Sequence, residues 1–201
     1  MNKYTEEMKK FFEAYYEKMK GISTAIVSHP CVPEDMWEDN QDTDEEWKVW
    51  KLIPSTVTEQ MLGELEIEIG MKFPEVFKAF LSTYFYLFDG GIGKHTSEEP
   101  FESVRNAWNP MLVKAGYLPF AWDEEGYFIR CIKVGEEQND LGVFQIDHEL
   151  LFDFDEETVT SEKIDDAMQF MADDFMEYLD MLLQAEFDDD DYDDYDEEND
   201  I

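Results

Sequence analysis

Apolar residues recur at two different spacings along this chain, and the change falls near Gly116. Before it the period is helical. Met8, Phe11, Phe12, Tyr15 and Met19 sit three or four residues apart, which predicts an amphipathic helix over residues 4–20 stopped by Gly21. A second helix is predicted over about 56–69, with Leu62, Leu65 and Ile69 facing inward, Thr56 and Glu59 as a capping-box pair, and Gly70 as its end. Phe73-Pro74 opens a third, with Pro74 placed where its missing N–H costs nothing; its stripe is Phe77, Phe80, Leu81, Tyr84 and Phe88, broken by Asp89-Gly90-Gly91. Val104, Trp108, Leu112 and Ala115 predict a helix over 101–115, kinked or split at Pro110.

After Gly116 the period shortens toward two. Segments 118–122, 127–134 and 141–147 read as strands, with turns at 124–126 and 136–140, in the order of an antiparallel meander. The pattern then returns to helix: Ile164, Met168, Met171, Phe175, Tyr178 and Leu182 step by threes and fours, with acids on the other faces. Between the first two helices, residues 28–46 form a loop with Pro30, Pro33 and eight acids: Glu34, Asp35, Glu38, Asp39, Asp42, Asp44, Glu45 and Glu46. From Glu34 to Glu46 no Lys or Arg interrupts them, so they must face water or a basic partner.

Charge changes this picture more than any motif does. The chain carries 51 acids against 15 bases, a net charge of -36, whereas a domain needs only about 2–8 net charges to stay soluble. The excess works against the compact state by self-repulsion and points to a strongly basic partner. It argues against nucleic acid as a direct ligand, because phosphate binding needs Lys/Arg patches. A hydrophobic content of 43% and an aromatic content of 15% are too rich for a disordered chain, so the acids are layered on a globular body. Acids fill 11 of the 16 positions from 186 to 201, a block expected to be disordered. The remaining 185 residues hold 40 acids and 15 bases, still a balance of -25.

Candidate chemistry is sparse. Cys31 and Cys131 lack any CxxC or Cys/His spacing and read as reduced thiols. His29, His95 and His148 share no metal-ligand spacing, and Asp147-His148-Glu149 reads as a polar turn after a strand. No P-loop, GxSxG or GxGxxG occurs, and residues 90–94, rich in glycine, read as a flexible helix exit. The EF-hand pattern is absent too, so no metal or cofactor is expected. The charged start lacks the apolar core of a secretory signal, and no apolar run nears the roughly 20 residues of a membrane helix. These readings describe a cytoplasmic binding protein, not an enzyme.

One set of residues resembles a known family. Pro54-Ser55-Thr56 leads into Leu65-Glu66-Ile67-Glu68-Ile69-Gly70, followed by Phe73-Pro74-Glu75-Val76-Phe77-Lys78-Ala79-Phe80-Leu81. This resembles the opening "LE..LG..LP..YK.FL" signature of the SUKH superfamily, bacterial relatives of fungal cell-wall-synthesis regulators. Leu118-Pro119-Phe120, Gly126-Tyr127-Phe128 and Gly142-Val143-Phe144 are similar to its later strands, and residues 170–183 to its closing helix. The resemblance covers about residues 50–185, leaving 1–49 as an N-terminal helix and acidic loop and 186–201 as the tail. It implies an α+β fold with a central antiparallel sheet flanked by helices. It also implies an immunity protein that neutralises a polymorphic toxin, many of which are nucleases; an interaction adaptor without a dedicated toxin is the alternative. Aromatic residues among acids make suitable interface anchors, so the expected partner-binding residues are Glu34, Asp35, Trp37, Glu38 and Asp39 in the loop and Trp122, Asp123, Glu124 and Glu125 in the strand turn.

Overall fold

The structure is a computed structural model that describes residues 3–21, 26–28, 32–40, 47–88 and 91–185. The expected disordered tail, Cys31, His29 and the acids from 42 to 46 lie outside the described residues. Helix α1 (Thr5–Gly21) is followed by β1 (Ile26–Ser28), a 3-10 turn at Glu34–Met36, β2 (Trp47–Val49) and β3 (Ile53–Pro54). Then come α2 (Glu59–Ile69), α3 (Glu75–Thr83), β4 (Tyr84–Phe85), α4 (Glu102–Ala107) and α5 (Pro110–Lys114). The second half runs β5 (Tyr117–Trp122), β6 (Phe128–Val134), β7 (Asp140–Asp147), α6 (His148–Phe152), α7 (Ser161–Ala167), β8 (Gln169–Ala172) and α8 (Phe175–Gln184).

The fold is α+β. Strands β5 to β8 form an antiparallel sheet in chain order, and β1–β2 and β3–β4 form two short antiparallel pairs. Strand β5 is buried on both faces of the larger sheet, which explains its nearly unbroken apolar run. One face packs Leu118, Phe120, Ile132, Val143 and Ala172 into a core shared with α1, α3 and α8. The other packs Tyr117, Ile129, Cys131 and Ile146 against Leu112, Leu151 and Ile164 of α5, α6 and α7. The first core is aromatic: Phe80 lies 5.2 Å from Phe12 and 5.1 Å from Phe175, centre to centre, the latter edge-to-face. Helix α1 is thus part of the same core as the later elements. Its Lys18 Nζ also donates to Leu182 O and Leu183 O at 3.0 and 2.9 Å, satisfying carbonyls that the end of α8 leaves over.

The α2–α3 corner is held by a buried acid. Glu66 Oε1 accepts from Phe73 N at 2.9 Å, and Lys72 and Lys78 close on the same carboxylate. Burial opposes its charge, but these donors together hold the Glu66 carboxyl below its ordinary value.

Several expected boundaries shift, each for a tertiary reason. The cap of α2 is Thr58, not Thr56: its Oγ1 accepts from Met61 N at 3.2 Å, while Ser55 is tied to the end of α3 through Ser55 N–Thr83 O at 3.1 Å. Pro74 is the N-cap of α3, its carbonyl accepting from Phe77 N and Lys78 N. Helix α3 stops at Thr83, so Tyr84 and Phe88 do not belong to its stripe. Tyr84–Phe85 instead pairs with Ile53–Pro54, and Tyr86 bridges His95. The helix expected over 101–115 is split, with Asn109 Oδ1 capping α5 at Pro110.

The largest correction concerns the expected last helix. Its apolar series is divided among α7, β8 and α8. Strand β8 pairs with β7 and completes the sheet, leaving Phe170 60% exposed on a strand instead of a helix. Asp174 then starts α8 afresh: its Oδ1 accepts from Glu177 N at 2.8 Å, and Glu177 Oε2 accepts from Asp173 N at 2.6 Å. Residues 91–93 are also not a flexible exit. They are buried, Gly91 and Gly93 have φ near +71°, and a Cβ on Gly93 would meet Ser103 Oγ at 2.4 Å.

Candidate functional site

Nine residues were expected to contact a partner, and they fall into two separate places. Glu34, Asp35, Trp37, Glu38 and Asp39 line one cleft together with Lys48 and Lys51. Asp123, Glu124 and Glu125 line another, which shares no residue with the first.

The first place is a strand-like strap. Glu38 N donates to Val49 O at 2.9 Å and Lys51 N to Met36 O at 2.8 Å, so residues 36–38 run beside 49–51. Trp37 bridges Trp50 and is half-buried against the main core, with Lys48 Nζ 5.4 Å from its ring centre. Its acids are largely engaged within the molecule. Asp39 pairs with Lys51 at 2.8 Å, Glu38 approaches Lys20 at 3.8 Å, and Asp35 Oδ1 accepts from Ser97 Oγ at 2.6 Å. Glu38 and the burial of Tyr16 push the Tyr16 phenol up to about 12, burial being the larger cause. Of these five residues, Glu34 alone is exposed with no bonded partner among the described residues.

The second place is a hairpin turn with a different surface. Asp123 is spent on the turn itself: its Oδ1 accepts from Phe128 N at 2.9 Å and its carbonyl from Gly126 N at 3.2 Å. Glu124 and Glu125 stand exposed at the tip, without an ion pair among the described residues. Burial, and secondarily the charge of Glu124, pushes the Tyr15 phenol up to about 12. Trp122 is half-buried, its Nε1 donating to Asn106 O at 3.1 Å, so it is a footing and not a free-standing anchor.

What sequence reasoning missed is the aromatic group built on that footing. His148 meets Trp122 edge-to-face at 5.4 Å, and Phe152 meets His148 at 5.9 Å. Phe152 itself is 81% exposed. His148 is oriented by Tyr127 O, which faces its Nδ1 at 2.9 Å and accepts its backbone N–H at 3.0 Å. Asp147 is not part of a loose polar turn; its Oδ1 accepts from Glu149 N at 2.9 Å and caps α6. The available signal was Leu150-Leu151-Phe152, three apolar residues in one short turn, of which only Leu151 is buried.

The other histidine described, His95, is structural. Burial drives its pKa down to about 4, and its Nε2 lies 2.8 Å from Leu81 O. Among the described residues no group of three or more His, Cys, Asp or Glu is placed to hold a metal ion. No helix among them is long and apolar enough to cross a membrane. No protein-family model matches this chain, and no curated protein matches it either.

Proposed function

We propose that this protein is a cytoplasmic, non-enzymatic immunity protein of the SUKH kind, which binds and neutralises a basic, nuclease-type toxin domain through its acidic surface. The observation that carries the reading is the Trp122–His148–Phe152 group with its acidic surround. The exposed Phe152 ring, close in the chain to Glu149 and Asp153, and Glu124 and Glu125 at the tip of the turn that follows Trp122, none of these acids with an ion pair among the described residues, supply an apolar anchor and unspent negative charge. Aromatic anchors ringed by polar residues are where binding energy concentrates. A nuclease cleft is basic because it must hold phosphates, so an acidic inhibitor is drawn to it and takes the substrate's place. The motif order of residues 54–81 supports the family and hence the toxin partner. The test is co-expression with the toxin encoded beside the gene, followed by calorimetry of the purified pair. Rescue and a tight complex whose affinity falls as salt rises are expected. Absence of any complex would falsify the toxin reading, and salt-insensitive binding would remove the electrostatic part of it.

A further inference from the structure

Behind the acidic turn, a cleft of about 410 Å³ opens between the sheet and α8. Its walls are Tyr15, Arg130, Met171, Tyr178, Met181 and Leu182, with Glu124 and Glu125 at the edge. The chain has two arginines, and they are used in opposite ways. Arg105 forks onto Glu68, Nε to Oε1 at 2.8 Å and one terminal nitrogen to Oε2 at 3.0 Å. Arg130 has no carboxylate among the described residues. One of its terminal nitrogens rests 3.3 Å from the Met171 thioether, a weak acceptor, the guanidinium also meets the Tyr178 hydroxyl, and its buried Nε has no acceptor among the described residues. In a body with 40 acids for 15 bases, a half-buried guanidinium whose only partners among the described residues are a neutral hydroxyl and a sulfur is an unmet demand for an anion.

The surroundings restrict what can meet that demand. Arg130 lies opposite Gln145 in the sheet and Gln145 opposite Gln169, and the two amides bond each other at 2.8 Å, so the sheet supplies no second cation. One guanidinium matches one carboxylate in a forked pair. Met171, Met181 and Leu182 present apolar surface to whatever carries it. The glutamates at the rim repel a simple anion and favour a carrier with a positive charge of its own. We propose that this cleft binds the carboxylate of a partly apolar, cation-bearing compound, either a free amino acid or the end of a peptide. The proposal does not depend on the toxin reading, which concerns cations meeting the outer surface of the turn.

With only two arginine side chains, the Nε–H resonances in proton–nitrogen spectra provide a direct readout, and Arg105 serves as internal control. Three probes are titrated: the dipeptide Lys-Phe, its C-terminal amide, and L-phenylalanine. Lys-Phe is expected to move the Arg130 signal saturably and leave that of Arg105 in place. The amide should bind at least about tenfold more weakly, the order expected for loss of one charge-assisted pair. Arg130→Gln should abolish binding of Lys-Phe. Should that variant not fold, Met181→Glu, at a position 44% exposed on the opposite wall, should weaken Lys-Phe by a similar factor. A response to phenylalanine as well assigns the free amino acid as source; a response to Lys-Phe alone assigns the peptide. No saturable shift with either, or an equal response to the amide, overturns the proposal.

Discussion

The segment around Trp37 and the turn after Trp122 are alike in sequence: each sets a tryptophan among carboxylates. Folded, they differ. Around Trp37 three of the four acids pair with Lys51, Lys20 and Ser97, and Lys48 lies over the indole, so the strap is held to the body. After Trp122, one acid closes the hairpin and the other two are left in solvent without an ion pair among the described residues. The difference teaches that a count of acids does not measure an acidic surface. A carboxylate already paired within the molecule has less to offer a partner than an unpaired one, which favours the hairpin turn over the strap as the proposed docking surface.

The comparison can be broken most sharply at the tryptophan under each place. Trp50, beneath the strap, is 1% exposed and meets Tyr16 and Phe88 edge-to-face at 5.0 and 4.9 Å. Trp50→Ala is expected to cost about 3–5 kcal/mol by denaturant unfolding, the usual range for truncating a buried tryptophan. Trp122→Ala, removing a half-buried ring and one hydrogen bond, should cost about 1–2 kcal/mol. Equal losses would mean that the strap is no better anchored than the turn.

Charge reversal gives the next effect. Glu124→Lys with Glu125→Lys is expected to weaken the proposed toxin complex about tenfold or more, about 1.4 kcal/mol, chiefly through slower association at low salt. Glu38→Lys with Asp39→Lys should change it several-fold less. Association rates measured at two salt concentrations decide, and the reverse order would move the interface to the strap. The smallest effect is expected from Lys51→Met. Breaking the exposed Lys51–Asp39 pair should cost at most about 1 kcal/mol in thermal or denaturant unfolding. A larger loss would show that the strap depends on that pair.

Much of the fold was legible in the chain. The stripe of α1, the Gly70 stop of α2, the split at Pro110 and the three-stranded meander all follow from local periodicity and from residues that cannot continue a helix. The illegible parts are those where two periods fit the same residues. From Ile164 to Leu182 apolar residues at steps of three and four satisfy a helix, yet residues 169–172 also satisfy a four-residue strand, and the open edge of β7 makes the strand win. The candidate site was only partly marked in the chain. The exposure of Glu124 and Glu125 follows from their place in a polar turn, but nothing local said that Phe152 would stay outside while Leu151 went in, or that Arg130 would lack a carboxylate among the described residues.

By itself the sequence determined the α+β class, the helix stops and the acidic excess, because these depend on neighbours a few residues away or on simple addition. The tertiary structure decided which acids are spent and which remain free. Asp39 meets a lysine 12 positions away and Asp35 a serine 62 positions away, whereas Glu124 and Glu125 meet neither. Pairing of charges depends on distance in space, and only the packed sheet, with α1 and the strap laid against it, sets those distances.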